Sequence, residues 1–212
     1  MSLITLLQQE RKNEEAVLGV VTGIVTNNQD PDGLGRVKVK LPRISGEDES
    51  NWARIASLMA GKDRGSFFLP EVEDEVLVAF EFGDISRPYV LGALWNGVDT
   101  PPADNADGEN NIRVIKSRSG HIIRLNDKDG EEKIEIIDKS EKNLVTIDTK
   151  EKTITISSDQ DIKLLAPNGK VLIDAKEVEL KSAADAKIGA GGKLDVEASG
   201  DLTAKGATIN LN

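Results

Sequence analysis

The C-terminal third of the chain reads VTIDTKEKTITISSDQDIKLLAPNGKVLIDAKEVELKSAADAKIGAGGKLDVEASGDLTAKGATINLN, residues 145–212. An apolar or small pair at i and i+2 returns nine times: Val145/Ile147, Ile154/Ile156, Ile162/Leu164, Val171/Ile173, Val178/Leu180, Ala186/Ile188, Leu194/Val196, Leu202/Ala204 and Ile209/Leu211. Successive pairs lie 7 to 9 residues apart, with a mean of 8. Alternation within each unit is the strand period, so each unit is expected to be a very short strand with one buried face. So short a strand buries too little to stand alone, and a core requires stacking on copies of itself. Two inward positions per unit are too few for a single-chain solenoid, whose coils need about 18 residues or more. Three chains wound about one axis supply three faces and remove the free edges of an open sheet. At one strand layer of ~4.8 Å per unit, nine units predict a needle of roughly 4 nm. Small residues gather near the end, in SAADAKIGAGGK and EASGDLTAKGAT, as a tapering rod requires.

Working outward from the repeat, the 212 residues suit one large domain or two small ones. All seven aromatic residues, Trp52, Phe67, Phe68, Phe80, Phe82, Tyr89 and Trp95, precede the repeat and fall within 44 residues. Bulky side chains are expected to fill a globular core, and small uniform ones a thin stack, so a globular domain followed by a rod is predicted. The net charge is −10, with 10 Lys and Arg against 15 Asp and Glu in residues 1–97 and 17 against 22 thereafter. Neither half has the basic footprint that a phosphate backbone demands, so no nucleic-acid partner is expected. Cysteine is absent, which removes disulfides and thiolate metal sites. In MSLITLLQQERKNEE the apolar run is about five residues, too short for a signal-peptide core or a membrane span. The expectation is a protein made in the bacterial cytoplasm without a signal peptide.

Residues 1–17 form an N-terminal arm in which Leu3, Ile4, Leu6 and Leu7 give one or two helical turns or a frayed end. From Val17 the pattern becomes β: VLGVVTGIVT, a turn at Asp30-Pro31-Asp32-Gly33, GRVKVKLP, WARIASLMAG, FFLPEVEDEVLVAFEFGD and RPYVLGALWNG. Five or six short strands with Gly, Pro and Asp turns and no long helix predict a small closed barrel of the OB type over residues 18–97. Residues 98–111, VDTPPADNADGENN, read as a linker. Residues 112–144 read as a β junction, with turns at Ser119-Gly120 and Asp127-Lys128-Asp129-Gly130. The predicted fold class is therefore all-β: an N-terminal OB barrel followed by an intertwined triple-stranded β-helix over 145–212, as a homotrimer.

The stretch DPDGLGRVKVKLPRI…NWARIASLMAGKDRGSFFLPEVEDEVLVAFEFGDISRPYVLGALWNG resembles the OB domain of contractile-tail spike proteins. That family includes phage baseplate assembly protein V and the corresponding part of VgrG proteins of type VI secretion. SRSGHIIRLNDKDGEEKIEIID is similar to the family's junction between OB domain and needle, and the octads to its triple-stranded β-helix. One departure is Glu73, where the pattern has glycine before Asp74-Glu75-Val76, and a differently shaped turn is expected there.

The resemblance implies a trimeric central spike that does mechanical work: it pierces a target cell envelope, and it is not an enzyme. A separate baseplate hub protein should hold the OB collar, since only about 17 residues precede the barrel. A PAAR-repeat tip protein should sit on the blunt end formed by Thr208, Ile209, Asn210, Leu211 and Asn212. The lysozyme domain that some relatives carry between OB and needle has no room in the fourteen-residue linker, and the histidine-held iron at some tips has no counterpart after His121. No cofactor, catalytic residue or metal site is expected.

Several features invite sharper readings. His121 is the only histidine and is expected to bond within the β junction. Asp84 and Arg87 suit a turn held by a surface ion pair. Asp30 to Gly35 superficially resembles a calcium or phosphate loop, yet lacks the later EF-hand ligands and the strand-to-helix turn with Lys, leaving a β-turn. Glu47-Asp48-Glu49 reads as a solvated loop or a contact for a hub. The rival functions are an OB module for single-stranded nucleic acid or saccharide on a β-rod stalk, and a β-solenoid polysaccharide enzyme, which needs convergent carboxylates.

Overall fold

The computed structural model describes residues 16–44 and 46–210. The predicted arm residues Leu3, Ile4, Leu6 and Leu7 lie outside the described residues, as do Leu211 and Asn212. The chain divides into two units, one ending at Asp161 and one beginning at Ile162.

In the first unit, alternating valines build a barrel. Its strands are β1 (Val20–Asn27), β2 (Lys38–Lys40), β3 (Arg54–Ile55), β6 (Glu75–Phe80) and β7 (Pro88–Ala93). A short hairpin, β4 (Ala60–Gly61) and β5 (Arg64–Gly65), stands apart as its own two-stranded sheet. The five strands run in the order β2-β1-β6-β7-β3, antiparallel except for the β3–β7 pair. Backbone bonds of 3.1 and 2.7 Å between Val37 and Ala53 join β2 to β3 and bring the two edges of the sheet together. This is the connectivity of an OB barrel. Register shifts at Val25/Asn27 and Leu77/Val78 supply the bends that let so few strands curl. Gly23 sits where a Cβ would lie 3.2 Å from both Leu41 Cδ2 and the Lys40 carbonyl, so the strands cross closely because no side chain intervenes.

The core corrects the expectation drawn from the aromatics. It consists of Val25, Val37, Val39, Leu41, Ala53, Val76, Val78, Phe80 and Val90, so Phe80 alone of the seven aromatics is buried. Phe67, Phe68, Phe82 and Trp95 are exposed, while Trp52 and Tyr89 are half-buried. A five-stranded barrel has a bore suited to valine, and larger rings are left to its surface.

At the turn from Glu71 to Asp74, the Asp74 N–H donates to the Glu71 carbonyl at 3.1 Å and the Glu71 N–H to Asp74 Oδ2 at 2.8 Å. Glu73 adopts φ 78°, the conformation glycine takes without strain. The glutamate therefore occupies a glycine-type backbone. No long helix occurs among the described residues; a single 3-10 turn, Glu81–Gly83, links β6 to β7.

Beyond the irregular residues 98–111 lies a second five-stranded sheet, an antiparallel meander: β8 (Ile112–Lys116), β9 (Ile122–Asn126), β10 (Lys133–Ile137), β11 (Leu144–Asp148) and β12 (Thr153–Ser157). The first two octads are β11 and β12, paired with Val145 opposite Ile156 and Ile147 opposite Ile154. In the second unit no strand is assigned among the described residues 162–210, and the apolar members of the repeat lie open, Leu180 at 81% and Ile188 at 75% exposure. The one-sided burial expected of each octad strand is not found within a single chain. Its backbone finds no neighbouring strand there to complete a ladder.

Candidate functional site

Strand register sorts the side chains of the meander into two unlike faces. One face carries the rows Ile115–Ile123–Ile136–Val145–Ile156 and Arg113–Leu125–Ile134–Ile147–Ile154. Nine of these ten side chains are aliphatic. All of the nine but Val145 count as exposed large hydrophobics, ending with Ile154 at 72%. The other face carries an ion-pair ladder: Arg124 Nε to Glu135 Oε2 at 2.7 Å and Lys133 Nζ to Asp148 Oδ2 at 3.0 Å, with Thr146, Thr153 and Thr155 alongside. Asp148 is held below the usual carboxylate range by the Glu151 backbone N–H and by Lys133, and Lys133 is raised by its bond to Asp148. Beside its ion pairs this face carries Ile112, Val114, Ile122, Ile137 and Leu144, all but Ile112 half-buried. An aliphatic face of this extent needs a cover.

The octads continue the aliphatic theme. Thr208, Ile209 and Asn210, the described part of the predicted tip platform, are exposed, Ile209 at 52%. Leu211 and Asn212, which complete that platform, lie outside the described residues.

The smaller sequence features resolve into local structure. The Asp30 carboxylate accepts the N–H groups of Asp32 (3.1 Å), Leu34 (3.0 Å) and Arg36 (3.2 Å), and also pairs with the Arg36 guanidinium at 2.6 and 2.8 Å. With the Gly33 N–H on the Asp30 carbonyl at 3.1 Å, this is the expected β-turn. Arg36 above all holds the Asp30 carboxyl far below its ordinary range. Arg36 and Lys38 then lie 5.8 and 5.6 Å from the centre of the Trp52 ring. His121 Nδ1 accepts the Lys139 N–H at 3.2 Å, within the β junction as expected. Asp84 and Arg87 form the expected surface pair at 3.5 Å, and Ser86 donates to Asp84 at 2.6 Å. The acidic loop is more ordered than a solvated run: Glu49 pairs with Lys38 at 3.1 Å and bridges Lys40. Among the described residues no three His, Asp or Glu side chains converge as metal ligands, and no helix is long and apolar enough to cross a membrane.

Sequence reasoning missed an apolar groove of about 1100 Å³ on the barrel, lined by Leu34, Leu58, Met59, Phe67, Phe68 and Trp95 among others. The adjacent pair Phe67-Phe68 was its signal. The two rings lie just beyond β5, outside any strand, and both are exposed.

Residues 21–95 match the injector OB domain of type VI secretion systems and phage baseplates. Relatives include the type VI secretion system spike protein VgrG1a of Pseudomonas aeruginosa, 34% identical over 130 residues that make up 55% of this chain and 20% of that protein. VgrG5 of the same organism is 32% identical over 133 residues, 56% of this chain and 17% of that protein. VgrG3 of Vibrio cholerae is 39% identical over 75 residues, 34% of this chain and 7% of that protein. Residues 21–95 are thus similar to the OB domain of phage-baseplate and type VI secretion spike proteins. The chain spans a fifth or less of the length of these relatives.

Proposed function

We propose that the chain is the central spike of a contractile injection machine, acting as a homotrimer that pierces a target cell envelope. The observation that carries this reading is the aliphatic face of the meander. Its rows run into the octads, and eight of its nine aliphatic side chains are exposed within one chain. Three copies facing a common axis bury all of it at once, while the Arg124–Glu135 and Lys133–Asp148 ladder faces outward. Such a prism is rigid because separating one chain breaks every layer together. Its work is mechanical, with no catalytic residue or cofactor, and it is assembled into its baseplate from the cytoplasm.

The chain divides in this reading into an arm (1–17), an OB collar (18–97), a linker (98–111), a β junction (112–144) and a needle (145–212). A separate hub protein grips the collar. At the far end Thr208, Ile209, Asn210, Leu211 and Asn212 present three copies of one strand end, apolar at Ile209 and Leu211, with unpaired backbone groups. A PAAR-repeat tip protein of matching pseudo-threefold symmetry satisfies both.

Light scattering tests the core of the proposal: the expected mass is three times 22.9 kDa, and a folded monomer at micromolar concentration refutes it. Deleting residues 208–212 is expected to abolish capture of a PAAR-repeat protein while leaving the trimer intact. Undiminished capture would place the tip elsewhere.

A further inference from the structure

Two Asn-Gly dipeptides occur in the sequence, Asn96-Gly97 at the end of the barrel and Asn168-Gly169 within the repeat. The function proposed above uses neither. Asparagine followed by glycine is the pair most prone to lose ammonia spontaneously. With no side chain on the second residue, its backbone nitrogen can reach the asparagine Cγ and close a five-membered ring. Closure requires the asparagine side chain to turn toward that nitrogen. A fold that pins the side chain elsewhere prevents the reaction, and a fold that leaves it loose does not.

The two sites differ in this respect. Asn96 is half-buried and uses both ends of its amide. Its Oδ1 accepts the N–H groups of Val98 and Asp99 at 2.8 Å each, and its Nδ2 donates to Glu75 Oε2 at 3.0 Å. The backbone is tied as well: the Asn96 N–H donates to the Asp99 carbonyl at 3.0 Å and the Leu94 N–H to the Glu75 carbonyl at 2.8 Å. Turning the Asn96 amide toward Gly97 therefore breaks three side-chain hydrogen bonds together. Asn168 is exposed, and its side chain makes no hydrogen bond to any other described residue. The Gly169 N–H donates to the Ala166 carbonyl at 3.2 Å, closing a turn with Pro167 and Asn168 at its centre. That one surface bond holds the attacking nitrogen, and a Cβ built on Gly169 meets nothing within 4 Å.

We propose that Asn168-Gly169 is a site of spontaneous deamidation and isoaspartate formation in the repeat, and that the barrel suppresses the same reaction at Asn96-Gly97. The Gly169 nitrogen gives up its proton and bonds to Asn168 Cγ, while the Cγ–Nδ2 bond breaks and ammonia leaves with a proton in exchange. Water then opens the succinimide at either carbonyl, leaving an aspartyl or an isoaspartyl residue at position 168. Both products add a negative charge, and the isoaspartyl one inserts an extra atom into the backbone. The repeat keeps its strands in step by residue count, 7 to 9 per unit. The insertion falls between Ile162/Leu164 and Val171/Ile173, so it alters that spacing in every chain that reacts.

The full-length chain is to be incubated in mildly alkaline buffer and its digests followed by mass spectrometry. Isoaspartate is scored by methyl transfer from S-adenosylmethionine with an isoaspartyl methyltransferase. In the folded protein the Asn168 peptide is expected to gain one mass unit at least ~10-fold faster than the Asn96 peptide, and in urea the two rates should converge. Gly169→Val, which the open surroundings of Gly169 accommodate, should slow the reaction at position 168 by at least ~10-fold through crowding of the attacking nitrogen. Equal rates in the folded protein overturn the proposal. A difference that persists in urea assigns it to neighbouring sequence and overturns the role of the fold. Deamidation undiminished in Gly169→Val, or a product without isoaspartate, refutes ring closure.

Discussion

The octads that form β11 and β12 and those from Ile162 onward share one period and one composition, yet only the first two pair within the chain. Val145 and Ile147 meet Ile156 and Ile154 across a hairpin, whereas Ile162/Leu164 and later pairs face no strand. The connection between β11 and β12 explains the difference. The Asp148 carboxylate accepts the Glu151 N–H at 2.9 Å, and Lys152 takes φ 54°, so the four residues Thr149–Lys152 reverse the chain. After Ser157 no described non-glycine residue has positive φ. In β11 and β12 the repeat sets strand length and facing. Whether consecutive strands fold back or run on is decided by the turns between them.

The sharpest way to break this comparison is to charge the same inward position in each region. Val196→Asp or Ile188→Asp would place three carboxylates in a dry prism, at several kcal/mol each. Trimer assembly is expected to fail or the distal end to fray, as read by scattering and protease sensitivity. Ile147→Asp on the meander should be comparably damaging if both regions line one prism. Lys187→Asp and Lys193→Asp, outward by alternation, should change stability by less than ~0.5 kcal/mol. Equal sensitivity at inward and outward positions would show that the register is wrong.

A smaller effect separates the barrel from both. Asp30 is more acidic folded than unfolded because of Arg36 and the turn N–H groups. Its contribution is complete above the unfolded carboxyl pKa of about 3.9 and is lost as pH falls through the lower folded value. Urea unfolding followed by Trp52 fluorescence should show Asp30→Asn destabilised at pH 7, with the gap to wild type closing as pH is lowered below about 4. A gap that widens in acid contradicts the assignment. The smallest expected effect is at Glu73. Glycine there relieves a left-handed non-glycine residue at some cost in chain entropy, so Glu73→Gly should stabilise the barrel by about 0.5 kcal/mol. A destabilised variant would show that the glutamate side chain contributes more than the strain it imposes.

The all-β class, the OB barrel, the β-turn at Asp30 and the role of His121 were legible in the sequence because each rests on local signals: alternation, turn residues and an isolated titratable group. The placement of the aromatics was not. Composition records how many rings a segment holds, and only the narrow bore of a five-stranded barrel decides that Phe67, Phe68 and Trp95 stand outside. Glu73 was legible as a departure, while the retained φ of 78° emerged only in the structure, because backbone shape there is imposed by the flanking bonds to Val25 and Glu71. The predicted tip platform at Thr208, Ile209 and Asn210 is open in one chain, and its test lies with a partner.

By itself the sequence determined the period and the split between a mixed barrel segment and a uniform repeat, since these follow from which residues alternate and which are aromatic. The tertiary structure decided which strands fold back on each other, that one sheet face is mostly aliphatic and exposed, and that an apolar groove lies on the barrel. Those properties depend on register and on contacts between residues far apart in the chain, which alternation along a single strand does not specify.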